Sequence, residues 1–183
     1  MKLSRAAIGV AGRIGAGKTA LARRLAKEAG LQYVRYSQVL EEWLAGDASP
    51  RKELQSIGWQ VMSSERQLEL NARLISRIDK RRGVVVDGLR HPTDFACLSS
   101  ALGPEFRLIF LDCPAKTRWQ RLAQSGRFRN FEEFLAADAH PVEQNIEFLR
   151  AFACGTIPCQ EPIDKTVALA INSLGQANGA IRS

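Results

Sequence analysis

The stretch Gly12-Arg13-Ile14-Gly15-Ala16-Gly17-Lys18-Thr19 decides how the rest of the chain is read. It satisfies the G-x-x-x-x-G-K-[ST] spacing in full, and its flanks supply the context that this spacing needs. Before it, Ala6 to Ala11 is a short apolar run closed by Gly12, which predicts a buried strand. After it, Leu21, Leu25 and Ala29 recur at helical spacing up to Gly30, a residue type that ends helices. A strand, glycine loop and helix in this order turn successive backbone N–H groups toward one point, and the helix dipole adds positive potential there. Glycine permits the backbone angles and the close approach. Gly12, Gly15, Ala16, Gly17, Lys18 and Thr19 are therefore the expected nucleotide-binding residues. Lys18 is expected to reach the β- and γ-phosphate oxygens and the Thr19 hydroxyl to ligate Mg²⁺, which makes ATP and Mg²⁺ the expected cofactors. The motif leaves the position of Arg13 free.

Working outward, apolar runs alternate with amphipathic segments. Strands are expected at Tyr33 to Tyr36, Gly83 to Asp87, Arg107 to Asp112 and Thr156-Ile157. Ser37 can cap a helix from Gln38, Ser49-Pro50 opens another, and Ser64 with Gln67 suggests a capping box before Leu68, Ala72, Ile75 and Ile78 on one face. Pro114 starts a helix, Asn130 with Glu133 suggests another capping box, and Pro141 begins a helix with Val142, Ile146 and Leu149 on one side. The last helix is expected from Ile163 to Leu174, with Thr166 to Ile171 also readable as a strand and the tail from Gly175 frayed. This alternation predicts an α/β fold in three layers, with a central parallel five-stranded sheet covered on both faces.

The 183 residues suit one domain with a real core. No apolar run approaches the length of a membrane helix, and a cleaved signal is not expected at the N-terminus. The four cysteines, Cys97, Cys113, Cys154 and Cys159, are expected as reduced thiols in a cytoplasmic protein, without the paired spacing of a zinc site. The net charge of +7 calls for an anionic partner. Its map is more informative: residues 1–36 hold eight bases and one acid, and residues 116–129 hold Lys116, Arg118, Arg121, Arg127 and Arg129 with no acid.

Two strands end in an acid that could face the metal, Asp87 and Asp112. Asp87 is favoured because Gly88 and Arg90 follow it at once, while Asp112 before Cys113-Pro114 reads as a helix-start carboxylate. With these residues in place the sequence resembles the nucleoside monophosphate kinase group of P-loop kinases and their adenylate-kinase-related and dephospho-CoA-kinase-like relatives, over about residues 5–175. The resemblance implies that Asp87 in Asp87-Gly88-Leu89-Arg90 lies near Mg²⁺ and the reaction centre and that Arg90 grips the acceptor. It also implies that Arg118, Arg121 and Arg127 belong to an arginine-rich lid at about 116–130. The expected catalytic residues are Lys18, Asp87, Arg121 and Arg127, with Thr19 and Asp87 toward the metal. The segment 37–80 is expected to hold the acceptor through Ser37, Arg51 and Arg90, although Ser37 also reads as a helix cap and Arg51 as a solvated charge. Trp43 and Trp59 could stack on a base or fill the core, and His91 reads as structural. The chain departs from the family pattern at Leu135-Ala136-Ala137-Asp138-Ala139-His140, where the acid has no arginine beside it, and at Cys159-Gln160-Glu161-Pro162, where no adenine-binding pattern is visible.

The expected function is transfer of the γ-phosphate of ATP to a small phosphate-bearing acceptor, a nucleoside or deoxynucleoside monophosphate, with a dephospho-CoA-type hydroxyl as the close variant. A regulatory ATPase or nucleic-acid-associated switch is the reading from another class. Against it, no nucleic-acid-binding motif is present, and the bases cluster around the phosphate loop. No membrane partner is expected.

Overall fold

Apolar side chains point to both sides of nearly every strand, so the sheet has to be covered on both faces. In the computed structural model, which describes residues 6–44 and 66–179, five parallel strands do this: β1 (Ala7–Gly12), β2 (Gln32–Arg35), β3 (Val84–Leu89), β4 (Phe106–Asp112) and β5 (Ala153–Pro158). Their order is β2-β3-β1-β4-β5. The register pairs Val10 with Asp87 and Ile109, and Arg35 with Asp87. The strands therefore finish together, and the phosphate loop and both acidic strand ends share one rim of the sheet.

Alternation along the strands divides the core. Val84, Val86, Leu108 and Phe110 face one cluster with Val39, Leu70, Leu74, Leu98, Ile146 and Leu149. These come from α2 (Tyr36–Leu44), α3 (Arg66–Ile75), α4 (Pro92–Leu102) and α7 (Pro141–Phe148) with the short 3₁₀ turn after it. Ile8, Val10, Val85, Ile109 and Leu111 face the other cluster with Leu21, Leu25, Val167 and Leu174. That side is covered by α1 (Lys18–Ala29) and α8 (Ile163–Gly179). Between β4 and α7 lie α5 (Ala115–Ala123) and α6 (Phe131–Asp138).

Several expectations need correction. On α3 the buried side chains are Gln67, Leu70, Asn71 and Leu74, and Leu68 is 58% exposed, while Ile75 and, just past the helix, Ile78 pack on the core as expected. The face is rotated because two polar side chains are buried against a partner from α4, which an apolar count cannot see. Ser37 does not cap a helix, because α2 opens at Tyr36 and places Ser37 inside its first turn. Asp112 does not serve a helix start; both its oxygens pair with Arg150, and Pro114 occupies the N-cap of α5. Thr166 to Ile171 is helical, and α8 continues through Gly179 rather than fraying at Gly175. The capping serine Ser64, the Ser49-Pro50 start, Arg51 and Trp59 lie outside the described residues.

The cysteines are not all thiols. Cys113 and Cys159 form a disulfide, with Cα atoms 5.1 Å apart, while Cys97 and Cys154 are free. The two residues are 46 positions apart in the chain. They become neighbours because each follows the last residue of a paired strand, Asp112 opposite Pro158. Reduction, or Cys113→Ser together with Cys159→Ser, is expected to cost about 2–4 kcal/mol, read as a lower urea midpoint. An unchanged midpoint would show that the crosslink adds nothing.

Candidate nucleotide and acceptor site

The phosphate loop runs from the end of β1 into α1. Ala16 N–H donates to Arg13 C=O at 3.1 Å, and the Lys18 ammonium donates to the Gly12 and Arg13 carbonyls at 2.6 and 3.0 Å. Gly17, at φ 98°, is the N-cap of α1 and no side chain caps the helix there, so its first-turn N–H groups are available to an anion. Gly15, at φ +79°, shows why glycine is needed. A Cβ there would lie 2.9 Å from the Arg118 carbonyl oxygen and 2.9 Å from Leu122 Cδ1, so α5 packs directly on the loop.

Arg118 secures that contact. It is 3% exposed. Its Nε donates to Cys113 C=O at 2.9 Å, Nη1 to Ile14 C=O at 3.2 Å, and Nη1 and Nη2 to the two Asp138 oxygens at 2.5 and 2.9 Å. The Asp138 backbone carbonyl accepts in turn from Arg13 Nη2. Asp138 thus has its arginine after all, supplied by α5. Arg118 is a buried part of the loop's support rather than a mobile lid charge. Arg121 borders the loop as well, with Nη1 donating to Ala16 C=O at 3.1 Å and Nη2 to Cys159 C=O at 2.5 Å. It bridges the phosphate loop and the turn after β5.

On the other side of β1, Asp87 is 1% exposed at the rim. Its Oδ2 accepts from the Thr19 hydroxyl at 2.7 Å and from the Tyr33 hydroxyl at 2.7 Å. Burial first, and then the Asp87 charge, push the Tyr33 phenol up to about 12, so it stays a donor at neutral pH. The hydroxyl and carboxylate are hard oxygen donors of the kind Mg²⁺ takes. Among the described residues no group of three or more His, Cys, Asp or Glu could hold a metal ion. A two-oxygen set suits an ion that also binds substrate phosphates and water.

Gly88 follows at φ 91°, a backbone conformation that strains any side chain; the β1–β3 register shifts there before Leu89 pairs with Ala11, and Arg90 is the first residue beyond the strand. Asp94 sets this turn. It is 3% exposed, and its Oδ2 accepts from the N–H groups of Arg90 and His91 at 2.9 and 3.0 Å. Its Oδ1 accepts from Asn71 at 3.0 Å and Gln67 at 3.2 Å, and Asn71 Oδ1 accepts from the Tyr36 hydroxyl at 2.5 Å. This network is the partner that buries the polar residues of α3. His91 caps α4 and accepts from Thr93 N–H, a structural role.

The Arg90 charge lies close enough to act on both Lys18 and Arg127. Burial away from water lowers the Lys18 ammonium to about 8, and the next cause is the charge of Arg90. Partial desolvation and then Arg90 lower the Arg127 guanidinium, against the opposing pull of Glu143. The Arg90 guanidinium donates from Nη1 to Glu143 Oε1 at 2.7 Å, and Glu143 Oε2 accepts from Ile14 N–H at 2.7 Å. Ser37 is exposed. Trp43 is partly buried against the core, with the guanidinium carbons of Arg66 and Arg73 each 4.7 Å from its ring centroid, so the core reading applies to it. Sequence reading missed Glu143, Asp94 and Tyr33. A signal existed for Glu143, a carboxylate flanked by Val142 and Ile146 on the apolar side of a helix, and for Asp94, at the third position of a capped helix.

Residues 8–135, well over half of the chain, match the model of the AAA domain family. The chain is a member of that AAA domain family. No curated protein matches it. Among solved structures, this AAA domain protein is similar to a gluconokinase from Sinorhizobium meliloti 1021, with TM-score 0.71, 16% identity and 97% of each chain covered. It is also similar to a sugar kinase from Janibacter sp., with TM-score 0.56, 20% identity, and 93% of this chain and 95% of that chain covered. A third likeness is to shikimate kinase from Acinetobacter baumannii in complex with shikimate, with TM-score 0.55, 20% identity, and 95% of this chain and 94% of that chain covered. The fold of this AAA domain is the α/β P-loop kinase fold. Among the described residues no helix is long and apolar enough to cross a membrane.

Proposed function

We propose that the chain is an ATP-dependent phosphotransferase acting on a small anionic acceptor, a nucleoside or deoxynucleoside monophosphate. One observation carries this reading: near the Thr19–Asp87 pair, Lys18 and Arg127 both lie within range of the Arg90 charge, and burial first, then that charge, lowers both. Like charges gathered at that cost are suited to two anionic groups meeting there. Lys18 and the loop N–H groups hold the donor phosphates, Arg90 holds the acceptor, and Arg121 and Arg127 add charge around the transferring group. Thr19 and Asp87 would hold Mg²⁺, which when bound neutralises charge on the β- and γ-oxygens.

The second reading is a sugar acid or similar hydroxyl acceptor, favoured by the likeness to a gluconokinase over nearly the whole chain. A hydroxyl has to lose a proton during transfer, whereas a phosphate oxygen is already ionised. Asp87 accepts from Thr19 and Tyr33, and Glu143 from Ile14 and Arg90, so both carboxylates are already engaged, which supports the phosphate acceptor.

The test is ATP-Mg²⁺ turnover with the common ribo- and deoxynucleoside monophosphates, dephospho-CoA, gluconate and shikimate, with Lys18→Ala as control. Stimulation by a monophosphate supports the proposal, stimulation only by a sugar acid or shikimate moves it to the second reading, and none beyond the control refutes both. With the acceptor known, Arg90→Ala is expected to raise the acceptor KM about 10–100-fold and the ATP KM far less. Equal losses would remove Arg90 from the acceptor site.

A further inference from the structure

Glu143 has the lowest exposure of any polar side chain in the described core, 0%. A carboxylate withdrawn from water is retained only when both oxygens find strong donors. Its two bonds, to Ile14 N–H through Oε2 and to Arg90 Nη1 through Oε1, are each 2.7 Å. These donors belong to opposite halves of the cleft. Ile14 is in the phosphate loop, and its carbonyl is held from the other side by Arg118 at 3.2 Å. Arg90 stands on the turn after β3, its backbone fixed by Asp94. Engaging Nη1 leaves the Nε–Nη2 edge of the fork for a pair of acceptor oxygens.

We propose that Glu143 is a positioning residue that ties the acceptor-binding arginine to the phosphate loop and so sets the separation between acceptor and donor phosphates. The proposal rests on the reading of Arg90 given above. Transfer demands this kind of control, because reacting groups displaced by about 1 Å can lose about 100-fold in rate. A hydrophobic residue could fill the same volume, but it could hold neither donor and would leave the Ile14 N–H and the Arg90 guanidinium without their acceptor. Neither neighbouring apolar residue of α7, Val142 or Ile146, could take its place.

Two measurements test this. In turnover assays Glu143→Gln keeps an oxygen for Ile14 N–H but turns an amide N–H₂ toward the guanidinium. It is expected to lower kcat about tenfold or more and to raise the acceptor KM, with a much smaller change in the ATP KM, and the double variant with Arg90→Ala should be no worse than Arg90→Ala alone. Equal changes for both substrates, or additive losses, would overturn the proposal. In isotope-labelled wild-type protein without ATP, the Ile14 amide resonance is expected to move as adenosine monophosphate is titrated in, and to stay in place in Arg90→Met. Saturable binding without that movement would also overturn it, and this measurement needs no variant of Glu143 to fold. If no acceptor binds or turns over, the function reading fails on its own. The pair is then judged by urea unfolding of Arg90→Ala, Glu143→Gln and the double variant, where non-additive losses support the tie and additive losses refute it.

Discussion

Replacing Lys18 by methionine is expected to remove phosphotransfer, by about 10³-fold or more, while making the ligand-free protein harder to unfold. Both effects come from the same ammonium. In the free protein it lies among the loop carbonyls, and enclosure followed by the charge of Arg90 brings it from 10.5 to about 8. A native value below the unfolded one means that the native state binds its proton less tightly. Stability therefore rises with pH between about 8 and 10.5, and the penalty is fully present below 8. Methionine fills the space without the charge, giving up two hydrogen bonds to carbonyls. A net gain of about 1–3 kcal/mol at neutral pH follows. Urea unfolding at several pH values checks it: the wild-type stability should climb above pH 8 and the variant should lack that climb. A destabilised variant with the same climb would refute this account of Lys18. A bound triphosphate would offset the penalty.

Asp87→Asn is expected to reduce turnover by about 10³-fold with almost no change in the fold. The bonds from Thr19 and Tyr33 both end on one carboxylate oxygen, and an amide oxygen can accept both. What the change removes is the negative charge toward a divalent cation, and lost metal stabilisation of a phosphoryl centre amounts to several kcal/mol. The measurement is turnover against Mg²⁺ concentration, beside a thermal melt of the ligand-free protein. A retained melting temperature with a raised Mg²⁺ requirement is the expected pair of results. Unchanged turnover would take Asp87 out of the metal-side role and leave it as an anchor for Thr19 and Tyr33.

The parts of the site readable from the sequence are those made by neighbours along the chain. The loop from Gly12 to Thr19 is one such part, because spacing alone encodes a glycine loop between a strand and a helix. The turn from Asp87 to Arg90 is another. The parts that were not readable depend on contacts between distant segments. Arg118 looked like one more base in a basic run, and only folding brings it to Asp138, 20 residues on. Gln67 read as half of a capping box with Ser64, and only Asp94, from another helix, makes its burial and that of Asn71 tolerable. Cys113 and Cys159 looked unrelated until two parallel strands ended side by side. The strands themselves were legible because β-branched and aliphatic runs ending at glycine or an acid leave few alternatives, whereas the phase of α3 was set by polar contacts that carry no periodic signal.

Asp138 holds Arg118 with its side chain and Arg13 with its backbone carbonyl, so α6 is moored to the phosphate loop at its C-terminal end. Its N-terminal end follows a turn at Gly126, whose φ of 68° has open space around it, and α5 before that turn is pinned by the same arginine. A strip fastened at both ends does not swing as a flap. It bows. Movement of residues 124–130 is therefore limited to a short flexing between two anchored ends.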